Sequence, residues 1–189
     1  MTNKKKEFTG WHVGVAAEAI AASLFARCGL DVSVQYGANQ PEYDLLIAKG
    51  DHILKVSVKG SKDGGWGLTQ SHLPKQGESK TTPNYHAAID HWLNKHSKKT
   101  IFCFVQFKGV AITELPRVYL ASPMEIAEAL HKTAKGRGGT ILYERKVWTD
   151  KAQAAGTVDE IPPYWLFSVA RVESFLQTAS VSLIGKGRA

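Results

Sequence analysis

Apolar residues recur at helical spacing near the start of the chain and then alternate with polar ones. Residues 11–28 repeat apolar positions about every third or fourth residue, and Gly29 follows as a stop signal. Residues 31–36, 43–48 and 53–59 instead show the two-residue period of strands. The pattern predicts a helix followed by a three-stranded meander.

The third predicted strand separates apolar from polar side chains. Successive side chains of a strand point to opposite faces, so Leu54, Val56 and Val58 share one face. Ser57 and Lys59 then lie together on the other face.

The rest of the chain continues to mix helical and strand patterns. Residues 60–84 are rich in Gly, Ser, Lys and Thr, and this length predicts a mobile functional loop. Residues 149–160 form a second polar stretch. Periodicity predicts helices over 85–96, 124–135 and 169–177 and strands over 100–107, 117–121 and 140–147. We therefore expect a single α/β domain over residues 1–189, with a mixed central sheet, an N-terminal helix, a β-meander and flanking helices.

Composition narrows the class of protein. The chain has 189 residues, and 24 Lys and Arg against 17 Asp and Glu give it a net charge of +7. Such a charge favours a polyanion such as nucleic acid, although an ordinary basic surface explains it equally well. Cys28 and Cys103 stand in apolar segments without nearby metal-ligand spacing, as in a reduced, cytoplasmic protein. No signal peptide and no apolar stretch of about 20 residues is visible, so no membrane contact is expected.

Three charged residues of the N-terminal segments can converge. Glu18 lies among small apolar residues of the first helix, Asp44 begins the second strand, and Lys59 ends the third. A buried carboxylate needs a partner, and two carboxylates suit a hard cation such as Mg²⁺. Taken singly, Asp44 and Lys59 are equally well explained as an ordinary salt bridge between strands.

The order and spacing of these residues resemble the PD-(D/E)XK nuclease superfamily. The resemblance lies in Glu18 on the helix, Tyr43-Asp44 on the second strand and Ser57-Val58-Lys59 on the third, and it is closest to small resolvase-like and uncharacterised prokaryotic members. It implies a restriction-endonuclease-like core over about 11–107, with a family-specific extension over about 108–180. It also implies hydrolysis of phosphodiester bonds in DNA, with RNA not excluded, dependent on Mg²⁺ or Mn²⁺.

The resemblance also implies a role for each matched residue. Glu18 and Asp44 would be metal ligands, and Lys59 would orient or activate the attacking water. Ser57 occupies a catalytic position at which the superfamily usually has a carboxylate, and a hydroxyl is a poorer ligand for Mg²⁺. Glu42 and Asp63 are possible substitutes. The alternative function is a catalytically inactive nuclease-fold module that binds nucleic acid or a protein partner, and a homodimer is possible in either case.

Basic and aromatic residues outside this set are candidates for contacts with nucleic acid. The candidates are Lys62, Trp66, Lys95, Lys98, Lys99, Lys132, Lys135 and Arg137. The basic residues near 95 and 135 are equally well explained as solvated helix ends. An exposed Trp66 would stack on a base, although such a residue more often folds back onto the core.

Three polar residues on the helix predicted over 85–96 are compared with a metal site. His86 and Asp90 are four positions apart and share a helix face, with His91 adjacent. No matching third cluster of ligands is present in the sequence, so a solvated face is favoured over a metal site.

Overall fold

The structure is a computed structural model that describes residues 8–35, 42–73, 83–150, 152 and 154–184. Within these ranges the α-helices are α1 (Gly10–Arg27), α2 (Tyr85–Leu93), α3 (Pro123–Gly136) and α4 (Val169–Ile184). The strands are β1 (Asp31–Val34), β2 (Leu45–Lys49), β3 (His52–Ser61), β4 (Gly65–Gly67), β5 (Thr100–Gln106), β6 (Arg117–Ala121), β7 (Ile141–Tyr143), β8 (Arg145–Val147) and β9 (Val158–Glu160).

Five strands form the central sheet, in the order β1-β2-β3-β5-β6. The first three are the antiparallel meander, and β5 pairs parallel to β3 because the chain returns through α2 before entering it. The edge strand β6 pairs antiparallel to β5. The predicted fold class, a mixed sheet with an N-terminal helix, a meander and flanking helices, is confirmed.

Alternation along β3 and β5 divides the interior into two hydrophobic cores. Val56, Val58 and Cys103 belong to the core that packs against α1 and α4. Phe102 and Phe104 point the other way, into a core that includes residues of α2 and α3. Because a strand presents successive side chains to opposite faces, Ser57 and Lys59 lie on the Phe102 side of the sheet.

The predicted mobile loop over 60–84 is wrong for the part that the structure describes. Strand β3 continues to Ser61, β4 follows, and a 3-10 helix spans Gln70–His72. Trp66 is only 3% exposed because β4 pairs with β7, which lies much later in the chain. Residues 74–82 lie outside the described residues.

The predicted strand over 140–147 is two strands that belong to different sheets. Strand β7 pairs with β4, whereas β8 pairs with β9 inside the segment expected to be a polar connection. Glu144, between them, accepts hydrogen bonds from Nε and Nη2 of Arg117 (2.6 and 2.9 Å) and from the Tyr119 hydroxyl (2.7 Å). These contacts anchor the chain to β6 at the residue where the two strands separate.

Helix α3 begins with a capping box and ends in an unusual backbone. The Ser122 hydroxyl accepts a hydrogen bond from the Glu125 amide. The Glu125 carboxylate in turn accepts one from the Ser122 amide, at 2.7 Å. Arg171 of α4 also donates to Glu125 at 2.6 Å, which joins the two helices. At the other end Ala134 and Lys135 adopt φ of 49° and 59°, the left-handed region that side chains disfavour.

None of the helices within the described ranges is long and apolar enough to cross a membrane.

Helix α1 packs closely on the sheet at Gly60, directly after Lys59. A Cβ atom added at Gly60 would lie 2.7 Å from Cγ1 of Val13 and 2.8 Å from its carbonyl oxygen. The helix can therefore approach β3 at this point only because residue 60 has no side chain.

We predict that Gly60→Ala destabilises the protein by about 1–3 kcal/mol, the usual cost of overpacking. The clash involves backbone as well as side chain, so it cannot be relieved by a rotamer change. Urea unfolding followed by circular dichroism measures the change.

The matched control is Gly14→Ala in α1, where an added Cβ meets nothing within 4 Å. This variant should gain up to about 1 kcal/mol, because alanine has a higher helix propensity than glycine. Equal stability of the two variants would contradict close packing of α1 on β3.

Candidate functional site

An open cleft of about 500 Å³ lies beside β3 and brings together several of the residues singled out in the sequence. Asp44, Ser57 and Lys59 line it, as does Glu42. Its opposite wall comes from α2 and the residues that follow it, through Trp92, Lys95 and His96, and from His72. Charged and imidazole groups therefore converge on one concave surface.

Strand register explains how Asp44 reaches β3. Asp44 precedes β2, and its amide donates to the Val56 carbonyl at 2.8 Å, which extends the β2–β3 ladder by one position. Its side-chain Oδ2 accepts the Val58 amide at 2.6 Å. The carboxylate is thus fixed against the backbone between Ser57 and Lys59, and its Oδ1 accepts no hydrogen bond from the described residues.

Glu18 approaches this site from α1, which packs on β3. It does not line the cleft itself. Burial raises the pKa of Glu18, the negative charge of Asp44 raises it further, and the positive charge of Lys59 lowers it. Glu18 is therefore close enough to both charges for an electrostatic interaction, although α1 and not the sheet carries it.

His96 is a functional candidate that the sequence alone did not single out. Its ring packs 4.5 Å from Trp92 and 5.1 Å from Phe102, measured between centroids. Burial lowers the pKa of His96, with Glu42 raising it and Lys59 lowering it. Its buried Nδ1 has no hydrogen-bond partner among the described residues. The cleft thus contains an imidazole whose charged form is disfavoured by burial.

The donor set of the cleft fits a weakly held hard cation. The described residues contain no group of three or more His, Cys, Asp or Glu side chains arranged around one point. Mg²⁺, however, is commonly bound by one or two carboxylates, with water and substrate phosphate completing its coordination. Asp44 lines the cleft and would supply one such carboxylate, whereas Glu18 does not line it and Ser57 is neutral and 3% exposed.

The two suggested substitutes for a carboxylate at position 57 differ in location. Glu42 is exposed and lines the same cleft as Asp44. Asp63 lies in a neighbouring cleft of about 410 Å³, and its Oδ1 accepts hydrogen bonds from the Ser61 hydroxyl (2.9 Å) and the Gly65 amide (3.3 Å). Of the two, Glu42 is the better placed to substitute for a carboxylate at position 57, because it lines the same cleft.

Trp66 is not a surface residue for base stacking, and that prediction is wrong. Its ring packs 5.0 Å from Phe104 and 6.4 Å from Tyr119, in the core between the sheet and α3. Trp11 near the start of α1 is the strongly exposed tryptophan of the described chain, at 72%.

The basic candidates are distributed over several surfaces. Lys95 lines the cleft, and Lys98 and Lys99 are exposed in the turn before β5. Lys62 lines the neighbouring cleft, where its Nζ donates to the Phe8 carbonyl at 2.6 Å.

The three basic candidates near the end of α3 have surroundings that differ from one another. Lys132 lines a separate cavity of about 260 Å³ that also contains Glu125, Glu128, Asp159 and Glu160. Lys135 is exposed in the left-handed turn, and Arg137 lies over the Tyr85 ring at 5.2 Å. The carboxylates around Lys132 make this residue a poor contact for phosphate.

Comparisons with known proteins add a likeness at the level of overall shape. No family model and no curated protein matches the chain. A solved structure of a bacterial homing endonuclease, I-Ssp6803I, is similar over 92% of this chain and 97% of that chain, with 15% identity and a TM-score of 0.47. That degree of likeness carries no argument about activity.

The raised pKa of Glu18 predicts a pH-dependent cost to folding in metal-free buffer. A carboxyl whose folded-state pKa exceeds the unfolded value of 4.5 contributes no penalty at lower pH. As pH rises above 4.5 the unfolded state loses its proton first, so stability falls until the folded pKa is passed. Glu18→Gln removes this penalty.

Urea unfolding of wild type and Glu18→Gln between about pH 4 and pH 8 measures the effect. This range covers the titration of a carboxyl group. The variant should gain stability relative to wild type as pH rises and then keep a constant lead. Added Mg²⁺ should narrow that lead at neutral pH, because a cation favours the ionised carboxylate. A pH-independent difference would show that the pKa of Glu18 is not raised in the folded protein.

Proposed function

We propose that this protein is a metal-dependent nuclease that hydrolyses phosphodiester bonds in DNA at the cleft beside β3. The observation that carries the proposal is the Asp44 carboxylate, held by the Val58 amide at 2.6 Å between Ser57 and Lys59. The carboxylate lines one cleft with Lys59, Lys95 and His96. Cleavage of a phosphodiester requires charge neutralisation on the phosphate and a positioned, deprotonated water.

Asp44 and Glu18 would hold a divalent cation, Mg²⁺ or Mn²⁺, with water and phosphate oxygens as further ligands. When bound, such an ion neutralises phosphate charge and lowers the pKa of a coordinated water. The Val58 amide orients Asp44 by occupying Oδ2, so the carboxylate cannot rotate freely.

Lys59 and His96 have complementary roles in this proposal. Lys59 supplies a positive charge that binds the phosphate or orients the attacking water beside Asp44. His96 lines the same cleft, and its imidazole accepts a proton from that water. Lys95 on the opposite wall binds the continuing phosphate backbone.

A specific observation favours the second candidate function, a nuclease fold that binds nucleic acid or a protein without cutting. Ser57 is buried and neutral at the position that the resemblance assigns to a carboxylate. In this case the cleft would keep its positively charged side chains but would bind a metal ion too weakly for catalysis.

We predict that Asp44→Asn lowers Mg²⁺- or Mn²⁺-dependent DNA cleavage by more than about 100-fold. A metal supplies several kcal/mol of charge stabilisation, and the amide removes its principal charged ligand. The amide oxygen can still accept the Val58 amide, so the fold should survive. The assay is nicking of plasmid DNA, with circular dichroism as the check on folding.

The matched control is Asp51→Asn, a change of the same chemistry at an exposed turn between β2 and β3. It should cleave as wild type does. Ser57→Glu then distinguishes the two candidate functions, because a non-cutting protein should gain Mn²⁺ affinity whereas an enzyme that uses Glu42 should gain little. Wild-type protein that neither cuts DNA or RNA nor binds Mn²⁺ in calorimetry would overturn the nuclease proposal.

We predict that the protein binds DNA with an affinity that falls as salt concentration rises. Lys95→Ala should weaken binding and reduce the salt slope by about 0.9, the value for one lost phosphate contact. Lys132→Ala is the control, because its acidic surroundings disfavour phosphate. Fluorescence anisotropy of labelled duplex DNA measures both, and equal losses in the two variants would contradict the cleft as the binding surface.

A further inference from the structure

A second group of imidazole and carboxylate side chains lies between α2 and α3. His86 and Asp90 of α2 are exposed, as the sequence led us to expect, but His131 of α3 lies beside them. Nδ1 of His86 is 2.6 Å from Nδ1 of His131, and the two rings are nearly parallel, at 9°. None of these three residues lines either cleft described above.

The outer nitrogens of both rings contact groups that can only accept hydrogen bonds. Nε2 of His131 lies 2.9 Å from Oδ1 of Asp90, and Nε2 of His86 lies 3.0 Å from the Gly136 carbonyl oxygen. A carboxylate and a carbonyl both require a donor, so each Nε2 carries the hydrogen.

This assignment fixes the state of the inner nitrogens. If both rings are neutral, each has one N–H, and both Nδ1 atoms then face each other as lone pairs. Two acceptors at 2.6 Å repel each other unless a cation lies between them. The hydrogen bonds of the pair are therefore complete only when a positive species bridges the rings.

We propose that His86 and His131 form a binding site for a borderline transition-metal ion such as Zn²⁺ or Cu²⁺, with both Nδ1 atoms as ligands. Metal-ligating histidines usually donate their other N–H to a carboxylate or a backbone carbonyl, and here Asp90 and Gly136 accept those hydrogens. Imidazole suits Zn²⁺ and Cu²⁺, whereas Mg²⁺ prefers oxygen.

Metal coordination requires the two rings to separate and to turn, because the two Nδ1 atoms face each other head-on at 2.6 Å. Zn–N bonds are about 2.0–2.1 Å, so tetrahedral coordination places two such nitrogens roughly 3.3 Å apart. The rings at 2.6 Å must therefore separate by less than about 1 Å. His86 is exposed, so water can complete the coordination.

An independent feature of the backbone supports the site. The Gly136 carbonyl follows Ala134 and Lys135, both with positive φ, in a turn that the Asp159 carboxylate fixes by accepting the Ala134 amide at 3.0 Å. Such backbone is unfavourable for residues with side chains and concentrates at functional sites. Here it presents a carbonyl to His86.

Zinc titration of the full chain tests the proposal, with protein that has no affinity tag and has been treated with chelator. Isothermal titration calorimetry should show Zn²⁺ binding to wild type that His131→Ala abolishes. Asp90→Asn, which removes the charge behind His131 and no ligand, should weaken the affinity by about 10- to 100-fold. Circular dichroism verifies that each variant is folded.

Two controls separate this site from other metal ligands of the chain. His91→Ala changes an exposed histidine of the same helix whose ring faces His72, and it should bind Zn²⁺ as wild type does. Asp44→Asn should also leave this affinity unchanged, which separates the result from the proposed nuclease site.

Wild-type protein that binds no Zn²⁺ or Cu²⁺, or that binds equally well after His131→Ala, would overturn the proposal. A shared proton would then be the bridging species. In that case the imidazole ¹⁵N chemical shifts would change with pH but not on addition of Zn²⁺. The readout is binding and not cleavage, so neither result bears on the proposed nuclease activity.

Discussion

The parallel pairing of β3 with β5 is the constraint on which the rest of the structure depends. Its register, from Lys55 opposite Thr100 to Ser61 opposite Gln106, aligns the two strands at the centre of the sheet. Each strand alternates its side chains, so one pairing supplies apolar residues to both cores at once. The same alternation directs Ser57 and Lys59 to the face that forms the cleft. A slip of one residue along β3 would transfer both to the α1 side and bury the ammonium group.

The sequence predicted those parts of the fold that depend on local pattern. The first helix and the meander were found because their periodicity is strong and their connections are short enough to fix the neighbours. Asp44 and Lys59 could be placed near each other for the same reason, since adjacent antiparallel strands bring their ends together. The strand over 140–147 was placed correctly in the chain but was not recognised as two strands, because the break at Glu144 comes from Arg117 and Tyr119 of β6.

The remaining features depend on contacts between residues distant in the chain. Trp66 is buried because β4 pairs with β7, and nothing in its own glycine-rich segment indicates that partner. His96 enters the cleft through the packing of its ring against Trp92 and Phe102. His131 likewise completes the cluster with His86 from a different helix. Polar residues with tertiary partners of this kind have no signature in a single sequence, since spacing reports only on neighbours within one element.

The small β8–β9 ribbon differs from the central sheet in how its backbone is protected from solvent. Each of its strands has exposed residues at both ends, and the ribbon makes no ladder with the five-stranded sheet. Amide groups in such a ribbon exchange with deuterium through local opening, whereas those of β3 and β5, buried between two cores, exchange only when most of the molecule unfolds. The protein should therefore contain two cooperative units with different opening free energies. Asp159 accepts hydrogen bonds from both the Trp148 indole and the Ala134 amide. Opening of the β8–β9 ribbon would therefore also release the end of α3.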